Sequence, residues 1–157
     1  MKYLNIKIID KRIGEVFPLP QHATKGSAGI DLVACLPSPL EIKPNTTELI
    51  PSGIAIFIEN PQYAGMIIPR SGLGHKKGLI LGNSIGLIDS DYQGELMISC
   101  WNRSQDTHII EPGTRIAQLV IVSVSQPEIR VHEPQSETSR GTKGFGSTGY
   151  HTQGEPS

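Results

Sequence analysis

The sequence predicts an all-β protein, and three features indicate this class. Isoleucine occurs 21 times against 12 leucines and six alanines, a bias toward β-branched residues that favours strands over helices. The 17 glycines and 12 prolines interrupt the apolar runs at short intervals. The clearest run, residues 53–59, carries Ile54, Ile56 and Ile58 with the period of two that is typical of a strand. Short strands separated by such turns are typical of a sandwich, a barrel or a jelly roll.

The predicted strands follow one another along the first 124 residues. They span residues 4–9, 28–32, 47–50, 53–59, 64–69, 96–102, 108–110 and 115–124. In the last of these, Ile116, Leu119 and Val120 leave no polar face. A strand that is apolar on both faces is expected to pack against a second sheet on one side and against another subunit on the other.

The chain length and a change in composition define the domain organisation. A chain of 157 residues suits one domain, whose core needs no disulfide or metal to be stable. We expect a β-rich core over residues 1–132. Residues 133–157 contain few aliphatic side chains and many glycines, serines and threonines, a composition that is also typical of a disordered tail.

The charges and cysteines exclude several classes of protein. With 14 basic and 15 acidic residues the net charge is -1, which argues against a nucleic acid as the partner. Cys35 and Cys100 form no C-x-x-C pair and the histidines are scattered, so the spacing supports no zinc site and predicts two buried thiols. The N-terminal stretch MKYLNIKIID alternates and carries charges. It is therefore expected to be neither a signal peptide nor a membrane span, and a cytoplasmic location follows.

The glycine-rich stretch GFGSTG, residues 144–149, suits an anion rather than a dinucleotide fold. It fits G-x-G-x-x-G but lacks the strand, helix and distant acid of a dinucleotide site, and Ser147 stands where a P-loop requires lysine. Its backbone N–H groups, with Arg140 and Lys143 nearby, can surround a polyphosphate. Phe145 is suited to stacking on a flat ring.

A second cluster of polar residues and glycines is PRSGLGHKKG, residues 69–78. Arg70 offers a planar fork for phosphate oxygens, Ser71 adds a hydroxyl, and Gly72 lets a ligand approach the backbone. Taken alone, the stretch is equally typical of a glycine-rich loop with a surface arginine.

Two aspartates lie one residue apart in GLIDSDYQGEL, residues 86–96. If the stretch is extended, Asp89 and Asp91 point to the same side about 6.5–7 Å apart, which suits a metal site or acid–base chemistry. If it turns, the two side chains diverge and cap the turn. Period and spacing do not separate these two interpretations.

Taken together, five stretches resemble the signature of a known family. In chain order they are SAGIDL (27–32), PRSGLG (69–74), GNSIGLIDSDYQGEL (82–96), RIAQLV (115–120) and RGTKGFGSTG (140–149). This order resembles the homotrimeric deoxyuridine triphosphatase (dUTPase, dUTP diphosphatase) family in its bacterial form. The likeness runs from about residue 4 to residue 149, and no motif position departs from it.

The resemblance implies both an architecture and a reaction. The subunit is expected to be a jelly-roll-like β-barrel or sandwich of the β-clip type in a homotrimer. Each of its three sites, at subunit interfaces, would collect motifs from different chains and be closed by a C-terminal arm, residues 133–157, of a neighbouring subunit. The expected enzyme hydrolyses dUTP to dUMP and pyrophosphate, with Mg²⁺ bound to the triphosphate. This activity keeps uracil out of DNA and supplies dUMP for thymidylate synthesis.

The same resemblance implies roles for the residues of the third motif. Asp89 matches the general base that activates the attacking water. The uracil pocket is expected to use Asn83 with the backbone of Leu87, Ile88 and Asp89, the deoxyribose to pack on Tyr92, and Met97 to line the pocket beside it. Asp91 either fixes the turn before Tyr92 or contacts a ligand directly.

The other four motifs are expected to hold the phosphates and the lid. The implied phosphate contacts are Arg70, Ser71, Gly72, Gln118 and, at the terminal phosphate, Arg140. Phe145 would cover the uracil, with Gly146 and Ser147 as donors beside it. Asp31 resembles an outer-shell partner of water on Mg²⁺.

Two alternatives share the fold expected here. A dCTP deaminase needs an acid that shuttles protons at C4 of cytosine, and PRSGLG offers no such acid. An inactive nucleotide-binding β-trimer would be expected to carry an altered motif, whereas all five are intact.

Overall fold

The computed structural model describes residues 1–131, which form ten strands and one short helix. In chain order these are β1 (Asn5–Ile8), β2 (Ile30–Val33), β3 (Leu40–Ile42), β4 (Thr47–Phe57), β5 (Tyr63–Pro69), α1 (Ser71–Lys77), β6 (Leu79–Leu81), β7 (Gly86–Ile88), β8 (Glu95–Asn102), β9 (His108–Ile110) and β10 (Arg115–Ser123). The predicted all-β class is confirmed.

The strands form two four-stranded sheets and one two-stranded sheet. Their orders are β1-β4-β8-β6, β2-β10-β5-β7 and β3-β9, and every pairing is antiparallel. The buried core draws side chains from both larger sheets, among them Ile56 of β4, Ile98 of β8 and Leu119 of β10. The two sheets therefore share one hydrophobic core.

The long strand β4 contains a bulge where the sequence predicts a break. Pro51 pairs with Met97 and Ala55 with Glu95, so three residues of β4 face one of β8. Gly53 lies in the bulge at φ +76°. An added Cβ there would stand 2.7 Å from the Sγ of Cys35, closer than side chains pack. Glycine is thus required on two counts, by its dihedral angle and by its neighbour.

The predicted glycine-rich loop after β5 instead forms the two-turn helix α1. The helix ends at Gly78 in the left-handed conformation, and the Gly78 N–H donates to the carbonyl of Leu73. The Nε2–H of His108 donates to the carbonyl of Lys77 at 2.8 Å. Bonds from outside the helix therefore satisfy its C-terminal carbonyls, and the helix forms despite two internal glycines.

Asn102, at the end of β8, holds the loop that supports α1. Its side chain is fully buried, and its Nδ2 donates to the carbonyls of Ile42 at 2.9 Å and Asp106 at 2.7 Å. Its Oδ1 accepts from the backbone N–H of Ser104 at 2.9 Å. A buried amide with this many partners fixes the backbone around it.

Both cysteines are free and buried, as predicted. Burial raises the pKa of the Cys100 thiol to about 11 and also raises the pKa of Cys35. Because the thiolate is the reactive form, both side chains behave as small core residues.

Near the N-terminus, an ion pair ties the loop after β1 to the rest of the core. The Arg12 guanidinium lies 2.7 Å from the Asp10 carboxylate and donates to the carbonyl of Leu36 at 2.6 Å. Its hydrogen bonds hold the pKa of Asp10 well below the usual range.

Residues Met1–Gln126 form one compact unit, and a second begins at Pro127. The predicted boundary between residues 132 and 133 falls outside the described residues and stays a prediction. In the described part of the chain, no helix is long and apolar enough to cross a membrane.

Candidate active site

The first candidate region is the β7–β8 segment, residues 83–97, which contains most of the third motif. Asn83 follows β6 in a tight turn, where the Ile85 N–H donates to the Asn83 carbonyl at 2.7 Å. A Cβ on Gly86 would stand 3.7 Å from the Asn83 Nδ2. The missing side chain at Gly86 thus leaves the Asn83 amide close to the start of β7.

Strand β7 forms one edge of its sheet, because β5 is its partner and no described strand pairs on its other side. Ile88 packs against the core, whereas Leu87 is 65% exposed. An edge strand presents alternating N–H donors and carbonyl acceptors. Such an edge can pair with the donor and acceptor groups of a flat heterocycle.

The chain turns after β7, so the extended interpretation of the two aspartates is wrong. The Tyr92 N–H donates to the Asp89 carbonyl at 3.2 Å, and the Glu59 N–H fixes the Ser90 carbonyl at 3.1 Å. Asp89 and Asp91 are both exposed. Within residues 1–131 neither carboxylate has a hydrogen-bond or ion-pair partner, which leaves both able to accept a proton or a water hydrogen.

Tyr92 folds back over the turn toward the start of β8. Its hydroxyl donates to the carbonyl of Glu95 at 3.1 Å, and 43% of the residue remains exposed. Met97 lies two residues further along β8 and is 38% exposed, which puts it on the same face of the strand as Glu95. The two side chains offer apolar surface beside the turn that carries Asp89.

The second candidate region is the Asp31 cluster, made of Asp31, Arg70, Arg115 and Gln118. The Oδ1 of Asp31 accepts from Arg70 Nε and from Gln118 Nε2, both at 3.1 Å. Its Oδ2 accepts from Arg115 Nη1 at 3.1 Å. One carboxylate thus orients two guanidinium groups and an amide, all of them suitable phosphate ligands.

Sheet pairing explains why residues from three motifs meet in this cluster. Gln118 pairs with Asp31 on one side and with Ile68 on the other, and Arg70 follows β5 directly. Ser71 and Gly72 begin α1 beside Arg70. A Cβ on Gly72 would meet no atom within 4 Å, so the space in front of this backbone is open to a ligand.

Asp89 and Arg70 lie at opposite ends of β5 in one chain. Ile88 pairs with Gly65, so Asp89 comes level with Ala64, six residues before Arg70. At about 3.4 Å per residue this separates Asp89 from Arg70 by about 20 Å along the strand. One chain therefore does not bring Asp89 and Arg70 together.

The remaining predicted site residues lie outside the described part of the chain. These are Arg140, Phe145, Gly146 and Ser147.

Comparison with known proteins identifies the family. The family model described as dUTPase matches residues 15–149. The chain belongs to the dUTPase family. Among similar curated members are the deoxyuridine 5'-triphosphate nucleotidohydrolases of Idiomarina loihiensis and Alcanivorax borkumensis. The first is 59% identical over 95% of this chain and 99% of its own length, and the second 58% over 93% and 97%.

Solved dUTPase structures share the fold. A variant of the dUTPase of phage 80alpha superposes with a TM-score of 0.80 at 28% identity, over 93% of this chain and 98% of its own. The Staphylococcus bacteriophage 80alpha dUTPase with dUPNHPP gives 0.79 at 28% identity, over 96% and 100%. The dUTPase of phage phi11 of S. aureus, whose structure describes the coordination of a structural Mg(II) ion, gives 0.74 at 24%, over 86% and 100%. The jelly-roll-like class predicted for this dUTPase-family chain is therefore confirmed.

The donor set of the dUTPase-family chain fits a metal held mainly by its substrate. Residues 1–131 contain no group of three or more His, Cys, Asp or Glu side chains that could hold an ion. Asp31 is the carboxylate of the Asp31 cluster, and both its oxygens already accept hydrogen bonds. Mg²⁺ is commonly bound through one or two carboxylates together with substrate phosphates, and this arrangement agrees with that pattern.

Two residues near the candidate site had no role in the sequence interpretation. Arg115 lies in the quoted RIAQLV motif, but its partner Asp31 is 84 residues away, so no local pattern connects them. The Glu95 side chain accepts from the N–H of Gly53, in the bulge of β4, at 2.8 Å. The motif itself was the available signal for Arg115, and no signal in the sequence indicated the contact of Glu95.

Proposed function

We infer that this chain hydrolyses dUTP to dUMP and pyrophosphate by attack of water on the α-phosphorus. The observation that carries this conclusion is its membership of the dUTPase family over residues 15–149. The unpaired, exposed carboxylate of Asp89, next to an edge strand, supplies the chemistry that such a reaction requires.

In the proposed complex, the edge of β7 reads uracil. The backbone of Leu87, Ile88 and Asp89, with the amide of Asn83, provides donors and acceptors for the pairing edge of the base. Cytosine would leave polar groups mispaired, at a cost of about 1–3 kcal/mol each. The methyl group of thymine would clash with the pocket wall.

Asp89 acts as the general base. Its carboxylate accepts a proton from the attacking water, whose oxygen forms the new bond to the α-phosphorus as the bond to the bridging oxygen of pyrophosphate breaks. Asp89 is exposed and has no ion-pair partner in the described residues, so its carboxylate is accessible to the attacking water.

The Asp31 cluster binds the phosphates. Arg70 and Gln118 present donors that Asp31 already orients, and the Ser71 hydroxyl and Gly72 backbone face open space beside them. Mg²⁺, coordinated by the phosphates with Asp31 as an outer-shell partner, would reduce the negative charge of the triphosphate. Preorganised donors of this kind stabilise the charge that develops on the leaving group.

We propose that the site is complete only in a homotrimer. Asp89 and Arg70 lie about 20 Å apart along β5 in one chain, so one triphosphate requires them from different subunits. Part of the outer face of the same sheet supports a subunit contact, because apolar side chains lie side by side there. Pairing puts Val120 and Leu87 beside Met66 on this face.

The C-terminal arm completes the proposal. Residues 133–157 of a neighbouring subunit would close the site, with Arg140 on the terminal phosphate, Phe145 over the uracil, and Gly146 and Ser147 as donors. A cytoplasmic location fits the role of keeping uracil out of DNA and supplying dUMP for thymidylate synthesis.

A substrate panel tests the function. Release of pyrophosphate is measured from dUTP, dCTP, dTTP and UTP, with and without Mg²⁺. Rapid release from dUTP alone, faster with Mg²⁺, is the expected result. Ammonia from dCTP would instead assign a deaminase, and no product from any nucleotide would contradict the proposed hydrolase.

A further inference from the structure

We propose that Glu95 and Gly94 are positioning residues for the selection of deoxyribose. They fix the ring of Tyr92 against β8, and through it the room left at the 2′ position of the sugar. This inference rests on the proposed function, and in particular on Tyr92 as the residue beneath the sugar. Asp91, the other candidate for holding Tyr92, has no side-chain hydrogen bond within the described residues.

The first contact is between the Tyr92 ring and the backbone of Gly94. A Cβ on Gly94 would stand 2.6 Å from Cζ and 3.1 Å from Cε2 of Tyr92, closer than real side chains pack. The ring therefore lies directly on the bare Cα of Gly94. Any side chain there would lift the ring away from the turn.

The second contact fixes the far end of the ring. The Tyr92 hydroxyl donates to the Glu95 carbonyl at 3.1 Å. Glu95 is the first residue of β8 and pairs with Ala55 of β4. The position of the ring thus depends on how firmly the start of β8 is held.

The Glu95 side chain supplies that hold. Its Oε1 accepts from the Gly53 N–H at 2.8 Å, in the bulge where β4 slips its register with β8. Gly53 is itself held by contacts: its carbonyl accepts from the N–H groups of Ile9 at 2.9 Å and Asp10 at 3.1 Å, and Cys35 packs against its Cα. A continuous series of contacts therefore connects the core to Tyr92.

This connection matters because steric exclusion of a 2′-hydroxyl requires the Tyr92 ring to keep its position. A pocket that rejects only an added hydroxyl discriminates by about 10²-fold. That factor requires the ring to remain within a few tenths of an ångström of its place, since a yielding wall would admit the 2′-hydroxyl of a ribose. The bond from Gly53 to Glu95 and the contact with Gly94 both oppose that movement.

The test measures the ratio of kcat/KM for dUTP to kcat/KM for UTP in the full-length chain. Gly94→Ala and Glu95→Ala are each expected to lower this ratio about tenfold, approaching Tyr92→Ala. Glu95→Gln keeps an oxygen that accepts from the Gly53 N–H and is expected to preserve the ratio within about twofold. A merely structural residue would lower both specificity constants together and leave the ratio unchanged.

One control matches Gly94→Ala in the size of the change, and a second lies beside Tyr92 in the sequence. Gly26→Ala adds a Cβ with no atom within 4 Å, and Gln93→Ala removes an exposed neighbour of Tyr92; both are expected to keep the wild-type ratio. Inhibition constants for dUMP and UMP give a second readout that does not depend on turnover. Gly94→Ala and Glu95→Ala should lower the preference for dUMP over UMP as an inhibitor.

The outcomes separate the inference from the function it rests on. If wild type prefers dUTP and Tyr92→Ala loses that preference, but Gly94→Ala and Glu95→Ala keep it, the positioning role is wrong and the hydrolase stands. If Glu95→Gln lowers the dUTP/UTP ratio as much as Glu95→Ala does, the hydrogen bond from the Gly53 N–H to the Glu95 side chain does not account for the selectivity. A wild-type chain inactive on dUTP would overturn the function itself.

Discussion

The β7–β8 segment and the Asp31 cluster are organised by different interactions. In the segment, backbone groups and close packing are fixed by neighbours such as Glu59 and Gly94, which suits an uncharged base and sugar. In the cluster, Asp31 gathers Arg70, Arg115 and Gln118 through charge, which suits phosphates. In the proposed complex, base and sugar selection would depend on backbone groups held by close contacts, and phosphate binding on side chains oriented by charge.

The two regions also differ in the hydrogen-bond partners of their aspartate carboxylates. The Asp31 carboxylate is saturated with donors, whereas Asp89 accepts from none of the described side chains. A carboxylate that bonds to neighbouring donors orients those donors, whereas a carboxylate without a protein partner is open to a water molecule. This difference supports the two roles proposed for the aspartates, orientation of side chains for Asp31 and proton transfer for Asp89.

The largest effect is expected at the catalytic carboxylate. Asp89→Asn keeps the shape of the side chain but removes the base, so kcat should fall by about 10²–10⁴-fold while dUTP still binds. Steady-state kinetics and calorimetric titration with a non-hydrolysable dUTP analogue measure the two quantities. Asp91→Asn is the matched control, with a change of less than about tenfold if Asp91 serves only the turn. An Asp89→Asn variant with normal turnover would exclude Asp89 as the base.

An intermediate effect is expected at Asn102, which holds the loop that supports α1. Asn102→Ala removes the buried amide that bonds the carbonyls of Ile42 and Asp106, and it should lower the free energy of unfolding by about 2–3 kcal/mol. Denaturant unfolding measures this loss. Asn60→Ala, on the surface with one backbone bond from Gln62, should cost less than about 1 kcal/mol. Equal losses in the two variants would contradict the role given to Asn102.

The smallest effect is expected from the charge balance of the cluster. Asp31→Asn leaves Arg70 and Arg115 without their carboxylate, so kcat should fall about tenfold because the phosphate ligands lose their orientation. The ratio of kcat/KM for dUTP to kcat/KM for UTP should not change, since the proposed sugar contacts lie in the other region. Glu41→Gln, an exposed carboxylate on β3, is the control and should behave as wild type. A changed ratio in Asp31→Asn would show that the two regions are not independent.

Most of the fold was accessible from the sequence, because alternation of isoleucines reports burial directly. The exceptions have local causes. Pro51 and Gly53 suggest a break, yet the bulge against β8 accommodates both within one strand. The two glycines of α1 suggest a loop, yet His108 completes the helix from 31 residues away. Strands β3, β6 and β7 have three residues each and were not among the predicted strands, although β9, equally short, was.

For the site, the motifs located the right segments but not their mutual arrangement. Whether Asp89 and Asp91 lie on a strand or a turn was open, and the bond from Glu59 to Ser90 decides it. The separation of Asp89 from Arg70 depends on the register of β7 on β5. Register is a property of the folded sheet, which no spacing along the chain encodes.

Complementation between two inactive variants tests the central claim most directly, that Asp89 and Arg70 of one chain serve different sites. Asp89→Asn and Arg70→Ala are co-expressed, and dUTP hydrolysis by the mixed trimers is compared with that of each variant alone. With random mixing, about a quarter of the sites receive an intact Asp89 from one subunit and an intact Arg70 from another, so about a quarter of wild-type activity should return. Asp89→Asn with Asn83→Ala, two changes in one region, should restore none. No recovery in the first pair, with mixed trimers present, would place both residues in a site within one chain and contradict the account.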